Sequence, residues 1–215
     1  MKKKLNMKWS YGNARFKNGK TLIFGIPALE SKSGFVTCPQ AGACAAICYA
    51  RQGFYHMPNV IKAKEHNLKQ TQNLKTFVPR VKADLEQLTI KYQIIRIHDA
   101  GDFYNQNYLN AWYEIARAFP DIFFYAYTKS LHLDLWTNKP KNFRIVQSIS
   151  GKLDHMIDKR KPHSRIFSSK AKRIKAGYVD GDKKGDESVI AGEVKIGLEY
   201  RGQAELTPPQ ERFFS

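Results

Sequence analysis

The sequence predicts an α/β fold: a single domain built as a partial (β/α) barrel with parallel strands and a C-terminal extension. Two observations predict it. Short β-branched or aromatic runs alternate with amphipathic segments, which is the pattern of parallel β-α units. Polar residues follow several of these runs, as they do at the ligand-binding edges of parallel sheets. A chain of 215 residues is long enough to bury one core of this kind.

The first third of the chain is predicted to be one strand followed by helices. Residues 21–28 are an apolar run of strand length. Residues 43–50 are rich in helix-favouring alanine, so a helix is expected there, with two cysteines one turn apart. Residues 60–73 and 78–88 are predicted to be amphipathic helices, and Pro79 suits the first position of the second one.

The middle of the chain is predicted to alternate strand and helix. The predicted strands are residues 92–98, 122–127, 143–149 and 164–168. A helix is expected over residues 107–119, with an inner face of Leu109, Trp112, Ile115, Ala116 and Phe119. A further short helix is expected after residue 130. Strands and helices in this order predict crossovers between parallel strands.

The two ends of the chain differ in composition from the middle. Residues 1–20 are basic and polar and are predicted to be a lead-in to the domain. Residues 21–176 form the predicted barrel-like domain. From residue 177 the chain turns to Gly, Asp and Lys, so residues 177–215 are predicted to form a hairpin and tail, with an edge hairpin over residues 189–200.

Composition and charge narrow the classes of function. A hydrophobic fraction of 42% and an aromatic fraction of 13% exclude general disorder. The formal net charge of +17, from 36 Lys and Arg against 19 Asp and Glu, favours nucleic acid or a nucleotide as partner. No apolar run is long enough to span a membrane, and none follows the basic start as in a signal peptide. We therefore expect a cytoplasmic protein with reduced thiols.

All three cysteines of the chain, Cys38, Cys44 and Cys48, lie in one short segment. Three cysteines cannot pair internally without leaving one over, so the grouping indicates ligands for a metal ion or cluster. One alternative is an iron–sulfur cluster held by three thiolates, which leaves one iron open. The other is a zinc ion with His56 as a further ligand. The lack of a Cys-x-x-Cys pair favours the cluster.

Residues at the predicted strand ends are expected to share one functional mouth with the cysteines. Asp99 and Asp102 flank a glycine and are candidates for proton transfer or cofactor binding, although one of them can instead cap the next helix. His98 is a candidate catalytic residue or a hydrogen-bonded core residue. Thr128 and Lys129 are candidates for binding a carboxylate or phosphate. The full set of candidate cofactor-binding residues is Tyr49, Gly101, Asp102, Thr128, Lys129 and Ser148.

Aromatic and basic residues supply further candidates for nucleic-acid contact. Rings near the cysteines that can stack on a base or adenine, or pack in the core, are Tyr49, Phe54, Tyr55 and Phe103. The densest basic runs are residues 159–165 and 170–175, which can contact phosphates or form a solvated face.

Three segments carry a family resemblance: Cys-x5-Cys-x3-Cys-Tyr-Ala, His-Asp-Ala-Gly-Asp-Phe at a strand end, and Phe-Tyr-Ala-Tyr-Thr-Lys-Ser. Together they resemble the bacteriophage gene product 88 family, over residues 14–170. Its members look like distant, shortened relatives of radical S-adenosylmethionine barrels. The resemblance implies a partial β/α barrel with a [4Fe-4S] cluster on the three cysteines. It also implies that Gly101 and Asp102 lie where such enzymes grip the methionine amino group.

Three functional hypotheses follow. The first is an iron–sulfur enzyme, similar to radical S-adenosylmethionine enzymes, that acts on a nucleic acid or nucleotide. The second is a non-enzymatic, basic nucleic-acid-binding protein stabilised by an iron–sulfur cluster or zinc. The third is a phage factor with a structural cluster that targets a host protein. A phage-encoded chain would act in the host cytoplasm.

Overall fold

A computed structural model describes residues 4–11, 20–88, 91–181 and 187–200 of the chain. Its centre is a sheet of seven parallel strands that forms a half barrel in one α/β domain, as predicted. The strands are β1 (Thr21–Phe24), β2 (Ile94–Ile97), β3 (Phe123–Thr128), β4 (Phe143–Ser148), β5 (His163–Phe167), β6 (Val179–Asp180) and β7 (Lys195–Glu199). Their spatial order is β1-β2-β3-β4-β5-β7-β6, so the first five strands are neighbours in chain order.

Helices flank this sheet. Those in the described residues are α1 (Pro58–Thr71), α2 (Leu74–Leu88), α3 (Gln106–Ala118), α4 (Lys170–Lys175) and α5 (Glu187–Ile190). The helices α1, α2 and α3 bury their apolar sides against β1 to β4. No helix in the described part of the chain has the length and apolar character needed to cross a membrane.

The main core lies between these three helices and the sheet. Phe24 of β1, Phe77 of α2 and Trp112 of α3 are fully buried there. Their rings meet edge to face, with centroids 5.0 Å apart for Phe24 and Trp112 and 5.5 Å apart for Phe77 and Trp112. Burying each such ring contributes roughly 1.5–3 kcal/mol, so the aromatic cluster fixes how α2 and α3 sit on β1.

The two faces of the sheet follow from the strand register. Leu22, Ile95 and Phe124 are aligned across β1, β2 and β3 and face the helices. Side chains alternate along a strand, so the next row, which includes Arg96 and Tyr125, faces the other side. A smaller buried cluster, formed by Tyr125, Val146, Val189 and Ile196, lies on that second face.

The predicted strands and the helix before β3 are confirmed, within a few residues at each end. The predicted start of α2 is wrong. The helix begins at Leu74, so Pro79 lies inside it instead of at its first position. The amide of Phe77 bonds to the Asn73 carbonyl oxygen at 2.9 Å, which adds a first turn. The Phe77 ring in this added turn is completely buried, which stabilises the earlier start of the helix.

The single helix predicted for residues 43–50 is also wrong. Two separate 3-10 turns occupy the region, Ala43–Ala45 and Tyr49–Arg51, with Cys48 in an extended conformation between them. The amide of Cys44 bonds to the Ser150 carbonyl oxygen at 3.2 Å, so a contact with the loop after β4 replaces a helical hydrogen bond. The short helix expected after residue 130 is replaced by turns.

The C-terminal part of the described chain differs from the expected edge hairpin. Residues 189–200 contain the end of α5 and then β7, which pairs in parallel with β5 and β6 inside the sheet. Arg173 of α4 holds this region, because its guanidinium bonds to Asp180 at 3.2 Å and to Glu199 at 3.4 Å. The predicted tail after residue 200 lies outside the described residues.

Candidate functional site

The cysteine segment, residues 38–48, lies across the C-terminal ends of the central strands. Just before it, the Thr37 carbonyl oxygen accepts a hydrogen bond from the Asp102 amide at 3.2 Å, beyond β2. Within it, the Cys44 amide bonds to the Ser150 carbonyl oxygen beyond β4. These two bonds join the segment to the rim where ligands bind in parallel α/β folds.

Two glycines let the segment approach that rim closely. A Cβ atom on Gly42 would lie 2.7 Å from the carbonyl carbon of Gly151, so only glycine fits there. The loop that carries Gly151 is fixed by Asp154, whose carboxylate accepts hydrogen bonds from the amides of Ser150 at 2.9 Å and Gly151 at 2.8 Å. The backbone around Cys44 is therefore held on both sides.

The three cysteine thiols are free and partly buried. Burial, with a smaller contribution from the Asp102 carboxylate, raises the pKa of Cys38 to about 12. The Leu29 amide, which donates to Sγ at 3.4 Å, opposes this change. Burial also raises the pKa of Cys44 and of Cys48. Cys48 interacts electrostatically with both other thiols. The fold thus gathers three protonated thiols in one region.

Metal binding by this donor set, as a cluster or as a single ion, stays a prediction. Among the residues that the structure describes, no three His, Cys, Asp or Glu side chains are placed to hold one metal ion. A single zinc ion needs its ligands to converge on one point, whereas the thiolates of a cluster bind different irons. Nε2 of His56, the expected further zinc ligand, lies within hydrogen-bond distance of the Arg51 carbonyl oxygen.

Asp102 is buried under the cysteine segment and is fully hydrogen-bonded within the protein. It accepts hydrogen bonds from the Thr128 hydroxyl at 2.6 Å, the Lys129 amide at 2.8 Å and the Phe103 amide at 2.7 Å. Burial raises the pKa of Asp102, and these three donors oppose that change. The carboxylate therefore ties the end of β2 to the end of β3.

Gly101 is required for this turn. Its φ is +84°, and a Cβ atom there would lie 2.2 Å from Cγ1 of Ile26. Left-handed backbone and close packing both demand glycine at this position. Binding of a cofactor by Gly101 or Asp102 stays a prediction.

Lys129 and Ser148 meet at the same rim. The Lys129 ammonium donates to the Ser148 hydroxyl at 2.5 Å. The charge of Lys129 lowers the pKa of Cys44 and of Cys48 against the effect of burial. A cation beside the thiols stabilises their deprotonated form, which is the form that binds metal. The structure thus brings Thr128, Lys129 and Ser148 together with the cysteines, while their cofactor-binding role stays a prediction.

Asp99 belongs to a second group, which we call the Asp99 cluster: Tyr49, Tyr55, Lys64 and Asp99. The Lys64 ammonium lies 2.5 Å from one carboxylate oxygen of Asp99, and the Tyr55 hydroxyl donates to the other at 3.1 Å. The Tyr49 hydroxyl donates to the Asp99 carbonyl oxygen. Burial raises the pKa of Tyr55 far above its usual range. The cluster clamps the chain after Cys48 onto the end of β2.

His98 does not point into this mouth. Its φ of +65° turns the side chain toward the helices, where it packs against Phe103 with ring centroids 4.7 Å apart. Nε2 lies 2.9 Å from the Tyr108 hydroxyl. Complete burial lowers the pKa of His98 to about 3, and the charge of Lys64 adds to that effect. His98 is therefore a hydrogen-bonded core residue in this structure, which was one of its two predicted roles. A catalytic role for it stays a prediction.

The basic run of residues 159–165 lies away from the cysteines. It precedes and enters β5, so it belongs to the opposite, N-terminal edge of the sheet. Lys161 places its ammonium 4.1 Å from the centre of the Trp136 ring, and Arg160 bonds to Asp158 at 3.0 Å. These residues do not contribute to the site.

Comparison with known proteins identifies the family. Residues 2–205 match the sequence profile of the family described as Gene product 88. The chain belongs to the gene product 88 family. It is 33% identical over 110 residues to the Gene 88 protein of Mycobacterium phage D29, an alignment that covers 47% of this chain and 45% of that one. It is 32% identical over 111 residues to the Gene 88 protein of Mycobacterium phage L5, with 47% and 46% covered.

The alignments span less than half of these two phage proteins. No solved structure matches the chain. Within this gene product 88 protein, sequence reasoning found the cysteines and the strand-end residues but missed Lys64 and Tyr55 as partners of Asp99. Gly25, at the end of the first strand, is the sequence feature that could have indicated this contact. A Cβ atom at Gly25 would lie 2.0 Å from an Asp99 carboxylate oxygen, and a glycine in such a position often allows a side chain to approach the backbone closely.

Proposed function

We propose that this gene product 88 protein binds a [4Fe-4S] cluster through Cys38, Cys44 and Cys48. The observation that carries the proposal is the position of the three thiols: one segment, joined by hydrogen bonds to the loops after β2 and β4. That rim is where parallel α/β folds bind their reactive ligands. Three thiolates hold such a cluster with one iron left open, and the bound cluster supplies electron transfer and that open coordination position.

The protein supplies the charge balance for this site. Lys129 lies beside the thiols, and the Leu29 amide donates to Cys38. Each stabilises negative charge on sulfur and so favours the deprotonated ligands. The acidic neighbours have protein partners of their own: Asp102 accepts hydrogen bonds from three donors, and Asp99 is paired with Lys64. The arrangement suits three metal-bound thiolates.

The reaction we propose is one-electron reductive cleavage of S-adenosylmethionine to methionine and a 5′-deoxyadenosyl radical in the host cytoplasm. An external reductant would supply the electron, and the radical would take a hydrogen atom from a nucleic acid or nucleotide. Lys129 and Ser148 offer an ammonium and a hydroxyl at the rim for the carboxylate of the methionine. Gly101 gives close backbone access at the strand end. Tyr49, next to Cys48, offers a ring for the adenine.

Anaerobic purification followed by reaction with dithionite and S-adenosylmethionine tests the proposal. A brown protein with iron and sulfide that releases 5′-deoxyadenosine is the expected result. A Lys129→Met variant keeps the side-chain volume but removes the cation beside the thiols, so we expect it to hold less iron and to raise the KM for S-adenosylmethionine. A colourless protein with one zinc per chain would contradict the proposal.

A second candidate is a non-enzymatic, metal-stabilised nucleic-acid-binding protein. The observation that favours it is Asp102, whose carboxylate already accepts hydrogen bonds from three protein donors, which compete with a cofactor amine. The net charge of +17 agrees with either candidate. Iron-loaded protein that binds nucleic acid but does not cleave S-adenosylmethionine would select this second candidate.

A further inference from the structure

An exposed aromatic surface borders the cysteine segment. Phe54 is 82% exposed, the largest exposure of any large apolar side chain in the described part of the chain. Tyr49 is 52% exposed and Met57 is 44% exposed. We call these three residues, together with Arg51, the aromatic lip. Single exposed apolar residues are common, but three within nine residues beside a candidate site indicate a contact surface.

The aromatic lip is held in place by hydrogen bonds of its own segment. The Tyr49 and Tyr55 hydroxyls both donate to Asp99, and the two rings pack edge to face with centroids 5.7 Å apart. Gly53 has a φ of +55°, which lets the chain enter the 3-10 turn Gly53–His56. Phe54 therefore lies at the start of an anchored turn, and the position of that turn leaves its side chain exposed. A turn whose backbone is already held in place loses little conformational entropy on binding.

The charge around the aromatic lip is positive. Residues 31–64 contain no Asp or Glu, and Arg51 and His56 are exposed within them. The Asp99 carboxylate, which accepts a hydrogen bond from Tyr55, is paired with Lys64. An exposed ring and an exposed guanidinium in a segment that has no Asp or Glu of its own match a ligand that combines flat aromatic groups with phosphates.

We propose that the aromatic lip binds single-stranded nucleic acid, with a base stacked on Phe54 and a phosphate held by Arg51. A duplex keeps its base faces stacked inside, so it cannot offer them to Phe54, whereas a single strand can. The inference deepens the proposed function. It rests on that function only where it makes the bound single-stranded nucleic acid the substrate of the cysteine site. Binding itself depends on the lip alone.

Fluorescence anisotropy with a labelled oligonucleotide of mixed sequence, single-stranded or annealed to its complement, tests the inference. We expect the wild-type protein to bind the single strand more tightly, and Phe54→Ala to weaken that binding about tenfold, the size of one lost base stack. Phe54→Trp keeps a ring and should retain affinity, with its added fluorescence quenched by the oligonucleotide. Equal affinity for the duplex, or unchanged affinity in Phe54→Ala, would overturn the inference.

The matched control is Ile174→Ala. Ile174 is 58% exposed on the lysine-rich helix α4, so it tests whether any exposed apolar residue among cations contributes equally. We expect its affinity to equal that of the wild type. If neither oligonucleotide binds, the inference fails. Iron measured in the same wild-type preparation reports separately on the proposed function, so the two failures are distinguishable.

Discussion

At the scale of single residues, Gly25 is constrained by the Asp99 cluster. A Cβ atom there would lie 2.0 Å from an Asp99 carboxylate oxygen and 2.2 Å from the Lys64 ammonium. Gly25→Ala should therefore displace the ion pair and lower the free energy of unfolding by roughly 1–3 kcal/mol. Urea denaturation measures this change.

The control for Gly25→Ala is the same substitution in an Asp99→Ala background. Removing the carboxylate removes the clash and frees the lysine, so the alanine at position 25 should cost much less there. Equal costs in the two backgrounds would show that the ion pair does not constrain Gly25.

His98 predicts a pH dependence of stability. Its pKa is about 3 in the folded protein, against an ordinary value of about 6.5, so the unfolded chain binds more protons between these values. The stabilisation from neutral His98 is complete above about pH 6.5 and is lost as the pH falls toward 3. The loss amounts to at most about 1.4 kcal/mol per pH unit for one proton.

His98→Asn isolates this contribution, because asparagine tolerates the left-handed backbone at this position. Unfolding free energies at several pH values should fall less steeply for the variant than for the wild type below pH 6.5. Parallel curves would contradict the buried, neutral histidine. The orientation of the His98 side chain could not be predicted from sequence. Side chains alternate along a strand, which would place His98 on the same face of the sheet as Arg96, and only the positive φ of His98 turns its side chain to the other face.

At the scale of secondary-structure elements, Asp84 of α2 anchors the N-terminal segment. Its carboxylate is fully buried and accepts hydrogen bonds from the amides of Asn6 at 2.7 Å and Met7 at 2.8 Å and from the Trp9 indole at 2.9 Å. Asp84→Asn replaces an acceptor by a donor, so we expect a loss of about 2–4 kcal/mol in unfolding free energy. Trypsin should also cleave after Lys8 faster.

Glu86→Gln is the matched control for Asp84→Asn. Glu86 lies on the same helix but is exposed, so losing its charge should change stability by no more than about 0.5 kcal/mol. If both variants lose the same stability, the charge of α2 matters and the anchoring of the N-terminal segment does not.

Element prediction succeeded where apolar pattern decided the structure. Strands β2, β3 and β4 are runs of mostly apolar residues, so their burial follows from the residue types that they contain. The helix predicted for residues 43–50 does not form. The helix propensity of alanine is weak, and the Cys44 amide bonds instead to Ser150, in a distant part of the chain. Strand β7 was predicted as part of an edge hairpin, but it pairs in parallel inside the sheet. Gly197 at its centre makes room for the Arg173 side chain, 2.5 Å from the position of a Cβ atom.

At the scale of the whole molecule, the parallel sheet explains which parts of the site were predictable. Parallel strands end at one rim, so Thr128, Ser148 and the cysteine segment could be grouped from sequence. The pairing of Asp99 with Lys64 and Tyr55 could not, because it depends on how α1 docks beside β2. The left-handed backbone at Ser150 that accompanies the contact with Cys44 also has no sequence signal.

The central claim is that Cys38, Cys44 and Cys48 together hold one cluster. Its most direct test is the iron and acid-labile sulfide content of anaerobically purified protein, wild type and with each cysteine changed singly to serine. We predict about four irons and four sulfides per wild-type chain and close to none in each variant. Folded wild-type protein without iron, or variants that keep the wild-type content, would contradict the account.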